Sequence, residues 1–352
     1  MTFKEFITAL PGSPYALPTF LRIPDSNIEG ERGVPGPFEA KKHYFTIRVN
    51  EMYIHQSRKW FSELEPMVVC LTEYSYDGSF VGNPMIVGSN MLKNKMKGDG
   101  KGFCFRDTRV AGIHPYAGGR MILSIGLYEN EIDNYLRKSI KFLESISSVF
   151  NSHVTIFLKN ITKASQVIMD GVDELLESKK TKPLFGLRKE FDPAVGEEFT
   201  AGYYVLLNKL DKEMTGGDFY VDDQNKLKYI IDGKKQDFRE TEYILFSFIK
   251  TDQRSDDSLL PLYKNYGAIL DFAKEHTTIG DQEKEKIKDM LRVLNFDMAK
   301  SPDITEADAQ RFMKAYITKI KELLDARFVL GGSSRKQNES LLENIDRQII
   351  KL

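Results

Sequence analysis

The chain holds only two cysteines, Cys70 and Cys104, too few for a disulfide framework. That scarcity fits a reduced compartment, so a cytoplasmic location is expected. Both lie in apolar, strand-like runs, Val68-Val69-Cys70-Leu71 and Phe103-Cys104-Phe105, where unpaired cysteine acts as a small buried hydrophobe. An excess of one charge sign is also missing, with 50 Lys and Arg against 51 Asp and Glu. Nucleic acids draw proteins through counterions released by clustered basic groups, so no nucleic-acid partner is expected. The same balance leaves only weak contact with anionic membranes. No stretch approaches the ~18 apolar residues of a bilayer-spanning helix. The opening MTFKEFITALPGSPYALP lacks the long apolar core behind a basic start that marks a secretory signal.

Signatures of chemistry are equally sparse. Lys97-Gly98-Asp99-Gly100-Lys101-Gly102 is glycine-rich and basic, but its Lys is not followed by Ser or Thr, and it opens no helix. It reads as a hairpin loop. There is no C-x-x-C, no H-E-x-x-H and no G-x-S-x-G, and the five histidines are scattered. No metal and no cofactor are expected. Cys104 and His114, ten positions apart, are a conceivable nucleophile and base if they sit on neighbouring strands. A hydrolase using that pair is the alternative to the main reading.

What is present is an α+β pattern. The expected architecture is an N-terminal antiparallel β-sheet, sandwich-like and with packed helices, then a β-hairpin region, then a C-terminal helical bundle. Residues 1–40 are rich in Pro and Gly and read as an extended arm carrying apolar residues such as Tyr15, Phe20 and Ile23. Residues 41–180 read as a β-rich domain with two amphipathic helices. In it, Phe45, Ile47 and Val49 alternate with Thr46, Arg48 and Asn50, predicting a sheet with one face buried. Further strands are expected at Met67–Tyr74, Met85–Val87, Gly102–Arg106 and Met121–Leu127, separated by turn signals such as Asp77-Gly78. Helices are expected over Glu131–Phe150 and from Asn160 onward, with a strand between them at His153–Leu158.

Residues 181–255 read as a connector followed by a second β region. The connector, Lys179–Glu198, carries Pro183 and Pro193. A hairpin turns at Asp223–Asn225 and a second turn lies at Asp232-Gly233. Thr241–Lys250 fits strand or helix, its β-branched and aromatic content favouring strand. Residues 256–330 are helical. One stripe runs through Leu259, Leu262, Tyr263, Tyr266, Ile269, Leu270 and Ala273, and another through Ile287, Met290, Leu291 and Leu294. A capping-box-like start lies at Thr305–Asp308. Asp256 and Asp257 read as helix-capping residues. Residues 331–352 read as a Gly-Gly-Ser-Ser hinge and a last amphipathic helix bearing Leu341, Leu342, Ile345 and Ile349.

The densest polar segment is Arg106–Arg120, read as loop-rich and including Arg109, His114 and Tyr116. With Lys93, Lys95, Lys97 and Lys101 it forms the best cationic patch, suited to an anionic ligand, lipid headgroups or an acidic partner. The function expected is a non-enzymatic component of a cytosolic multi-protein assembly, docking through the arm and the tail helix. Its expected partners are other protein chains, further copies of itself included. A second alternative is a peripheral membrane protein using the basic region.

Overall fold

The computed structural model describes residues 18–30, 33–55, 58–59, 62–88, 96–97, 103–131, 181–208, 213–275 and 280–331. The chain divides into two compact units, one of Met1–Ala40 with Phe45–Thr251, the other of Lys41–Tyr44 with Asp252–Leu352. The sheets are antiparallel wherever pairing is described, and the α-helices among the described residues lie in the second unit, so the α+β class stands. No helix of the described residues is long and apolar enough to cross a membrane.

The strands are β1 (Thr19–Ile23), β2 (Tyr44–Ile54), β3 (Arg58–Lys59), β4 (Ser62–Tyr76), β5 (Ser79–Gly88), β6 (Met96–Lys97) and β7 (Phe103–Pro115). They continue with β8 (Met121–Glu131), β9 (Thr181–Phe191), β10 (Gly202–Leu207), β11 (Phe219–Val221), β12 (Leu227–Ile231), β13 (Lys234–Asp237) and β14 (Tyr243–Thr251). A six-stranded sheet has the order β1-β10-β14-β2-β7-β6. A five-stranded sheet has the order β3-β4-β8-β9, with β5 also on β4. A small sheet joins β11, β12 and β13.

Turn chemistry sets two of the hairpins. Asp77 and Gly78 both take positive φ between β4 and β5, as do Asp232 and Gly233 between β12 and β13. Two central residues of that hand match the twist of paired strands. β14 settles the ambiguous 241–250 segment as strand, because its alternate residues face two different cores. Ile244, Phe246 and Phe248 join Phe45, Ile47, Val49, Tyr204 and Leu206 in one cluster that also holds Val68, Cys70, Leu123, Ile125, Leu127, Phe185 and Phe191 of the five-stranded sheet. Tyr243 and Leu245 join Tyr53, Tyr203, Val205 and Leu207 in a second cluster with Phe219, Val221, Leu227 and Phe238.

This corrects the expectation of a sheet with one buried face. Thr46, Asn50 and Glu51 are buried too, since the centre of the six-stranded sheet is covered on both sides. Three further expectations need correction. Thr19–Ile23, within the segment read as an arm, pairs with β10 through the full length of β1, and Ile23, Ile28 and Phe38 are core residues. The Lys179–Glu198 connector holds a strand, β9, paired with β8 over most of its length. Pro183 is tolerated there because, among the described residues, β9 is an edge strand and Pro183 sits where the register shifts. Arg106–Pro115, read as loop, belongs to β7, and the turn is confined to the residues before Met121. Glu131, expected to open a helix, closes β8 instead, and Gly331, expected to open the hinge, ends the helix Glu306–Gly331. The rest of the helices expected over Glu131–Phe150 and from Asn160 onward, the strand at His153–Leu158, and the hinge and tail helix after Gly331 lie outside the described residues.

In the second unit, α1 (Leu262–Glu275), α2 (Asp281–Lys300) and α3 (Glu306–Gly331) share one apolar cluster. Tyr266 and Tyr316 stack at its centre, ring centroids 3.8 Å apart. Thr305 begins α3 as expected, its Oγ1 accepting from the Asp308 N–H at 3.3 Å. The reciprocal half of a capping box is replaced. The Thr305 N–H donates to Tyr44 Oη at 2.8 Å, while the buried Asp308 carboxylate accepts from the Arg254 N–H at 2.9 Å and from Arg311 Nε at 2.7 Å. Burial, with the Asp308 charge beside it and against the bonds from Thr305, pushes the Tyr44 phenol up to about 12. Asp256 holds the N-cap position of the short 3-10 turn Asp257–Leu259, with Asp257 in its first turn, but neither carboxylate caps the backbone: Asp256 accepts from Arg254 Nε at 2.7 Å, and Asp257 accepts from Tyr316 Oη at 2.8 Å.

Candidate functional site

The structure divides the predicted site residues among different environments. Cys104 and His114 lie on the same strand, β7. Ten residues at ~3.3 Å each separate them by roughly 30 Å along it, so they cannot form a nucleophile and base. His114 is packed among rings, with centroids 6.0 Å from Phe45, 5.3 Å from Tyr74 and 5.6 Å from Tyr76. Tyr116 is buried, and its hydroxyl donates to the Gly119 carbonyl at 2.6 Å. It staples the turn that Gly118 and Gly119 make possible by their positive φ. The space beside Gly118 is taken by the chain itself: a Cβ there would lie 3.0 Å from that of Ala40.

Arg120 is exposed, 3.6 Å from a Glu190 oxygen and 5.0 Å above the Phe80 ring. Arg109 is exposed on β7. The side chains of Lys97, Cys104 and Arg106, and the whole of Lys93, Lys95, Lys101, Leu341, Leu342, Ile345 and Ile349, lie outside the described residues. The other cysteine, Cys70, is buried, and desolvation pushes its thiol up to about 12. A thiol so held is inert at neutral pH.

Two arrangements were not visible as sites in the sequence. The first is the buried carboxylate of Glu51. Its Oε2 accepts from the Leu227 N–H and from Tyr243 Oη, each at 2.8 Å, and its Oε1 accepts from Arg239 Nη2 at 3.2 Å. The Arg239 guanidinium lies over the Tyr53 ring at 4.9 Å and donates to the Phe238 carbonyl at 2.7 Å. This network ties β2 and β14 to the β11–β13 sheet. Its groups face one another and leave little acceptor capacity for a ligand, so its role is structural.

The second is on the surface of α2. The helix begins with Asp281 and Glu283 and ends with Lys300, charges that complement its dipole. Glu283 also accepts from the Gly280 N–H at 2.9 Å. Ile287, Leu291, Leu294 and Met298 recur at spacings of four, three and four and are buried. Two positions further on, hence on the opposite side, a second stripe has the same spacing: Asp289, Val293, Phe296 and Lys300. Its apolar pair is out in solvent, Val293 at 60% and Phe296 at 57% exposure. Leu259, just ahead of α1, is 77% exposed. Around the pair the charges hold only surface contacts, Arg292 to Asp289 at 2.8 Å and Lys300 Nζ over the Phe296 ring at 4.0 Å. The sequence did carry a signal, since Val293 and Phe296 fall off the stripe that accounts for the rest of the helix. No protein-family model, curated protein or solved structure matches this chain.

Proposed function

We propose that this chain is a non-enzymatic interaction component of a multi-protein assembly, acting in the cytoplasm. The observation that carries the reading is the outer face of α2, where two large apolar side chains stand in solvent although the helix already buries a complete apolar stripe. A helix presenting two large apolar residues three apart, one turn of the same outer face, suits docking against another protein surface. The expected tail stripe of Leu341, Leu342, Ile345 and Ile349 would add a second docking element. In the same reading the two larger sheets form a sandwich-like body, and the three helices a bundle.

The test is co-purification with the full chain, with a chain lacking residues 333–352, and with Phe296→Asp. One or both variants should lose a bound protein while keeping the wild-type circular dichroism spectrum. Retention of every bound chain by both would refute the reading. At the N-terminus only residues 1–17 can serve in such a test, because a longer deletion removes β1 and its core residues.

A further inference from the structure

We propose that α2 is a self-recognition surface, pairing antiparallel with α2 of a second copy of this chain about a two-fold axis that passes between Val293 and Phe296. The proposal rests on the interaction reading above and names the partner.

The stripe Asp289, Val293, Phe296, Lys300 reads acidic, apolar, apolar, basic. Asp289 and Lys300 stand equally far from the midpoint of Val293 and Phe296, five and a half residues or ~8 Å at 1.5 Å per residue. Two-fold symmetry makes an interface isologous, each contact occurring twice. Turning a second copy end for end therefore sets each Asp289 beside a Lys300 of the other copy, and each Val293 beside a Phe296. A parallel pair would set Asp289 against Asp289 and Lys300 against Lys300, so the charges select the antiparallel arrangement. The four-three-four spacing keeps all four side chains on one seam, as in paired helices that pack knobs into holes.

What each group gives up is small. Asp289 exchanges a surface ion pair with Arg292, and Lys300 exchanges its contact with the Phe296 ring. The Phe296 ring then exchanges solvent for the partner's Val293. Three turns of one helix cover less than the ~1,000 Å² of a durable interface, so the dimer is reversible and follows concentration.

Sedimentation equilibrium of the full chain from about 1 μM to about 1 mM is the test, on the wild type, Phe296→Asp, Asp289→Lys, Lys300→Asp and the double reversal. The wild type should shift from one to two chain masses across the range. Phe296→Asp should abolish the shift. Each single reversal should weaken association roughly tenfold, by setting like charges together, and the double reversal should return it to within about threefold of wild type. A wild type that stays monomeric overturns the proposal, as does a dimer indifferent to Phe296→Asp or a double reversal no better than the singles. Co-purification separates the two levels. If Phe296→Asp loses a different protein chain while the wild type is monomeric, self-pairing fails and the interaction reading survives; if the wild type is monomeric and neither Phe296→Asp nor the chain lacking residues 333–352 loses one, both fail.

Discussion

The two units solve the same problem in opposite ways. Each holds a buried, hydrogen-bonded carboxylate, Glu51 (with Glu73 besides) in the strand-rich unit and Asp308 in the helical one. Around Glu51 the six-stranded sheet has a core on each face, and the unit's exposed apolar residues, Val34, Val195 and Ile230, stand singly in separate segments. Around Asp308 the helices bury one stripe each, and α2 keeps apolar residues in solvent. Burial on two sides leaves a strand no surface for a partner, whereas a helix with a second apolar stripe stays able to bind one. The unit to alter for interaction is thus the helical one, and the unit to alter for stability is the strand-rich one.

Breaking that contrast begins with Glu51→Ala. It leaves the buried Leu227 N–H without its acceptor and strips Arg239 of one carboxylate while Asp237 remains at 3.4 Å; breaking a buried network on one side costs ~3–5 kcal/mol. Urea denaturation followed by hydrogen exchange at Leu227 reads this directly; a loss below ~1 kcal/mol would remove the network from its anchoring role. Asp308→Ala should cost less, ~2–3 kcal/mol, since Arg311 is half in solvent and Thr305 still caps α3. Its loss should register in the exchange of α3 amides and leave those of β14 unmoved.

The smallest effect is a pH dependence in the strand-rich unit. Burial acts against both charges of the Lys228 and Asp237 pair, but their mutual contact prevails, with Asp222 helping on the lysine side. Lys228 is held above its ordinary value and Asp237 below its own. A lowered carboxyl contributes stability above its unfolded value of ~3.9 and loses it as pH falls through the folded one. A raised lysine contributes below ~10.4 and loses it as pH climbs past. The pair's contribution should be flat between about pH 4 and pH 10 and fade outside. Asp237→Asn should lower stability slightly within that window and not below about pH 3, as thermal melts at fixed ionic strength will reveal.

How much of this was legible varies with the range of the forces involved. Local patterns were: the Asp77-Gly78 and Asp232-Gly233 turns, the Thr305 start of α3, and the β-branched and aromatic run that became β14. What depends on distant neighbours was not. β9 reads as a connector because Pro183 is acceptable in a strand only at an edge or an irregularity, and the strand it pairs with is β8, some fifty residues away in the chain. Arg109 suggested a loop, yet a polar residue is compatible with a strand when it alternates with a core residue such as Val110. At the candidate site, Val293 and Phe296 were readable as apolar outliers of their helix. Their exposure was not, since it depends on α1 and α3 covering only the other side. Glu51 carried no local sign, its partners lying near 227, 239 and 243.

The pairing of β8 with β9 also bears on how the chain is made. Asn130 and Thr181 are direct partners, yet some fifty residues are translated between them. At ~5–20 residues per second, a ribosome leaves one side of β8 without its neighbour for roughly 3–10 seconds. An open row of amide and carbonyl groups invites pairing with nascent chains nearby. Slower elongation through this stretch should therefore raise the aggregated fraction, and a chaperone that shields strand edges during synthesis should lower it.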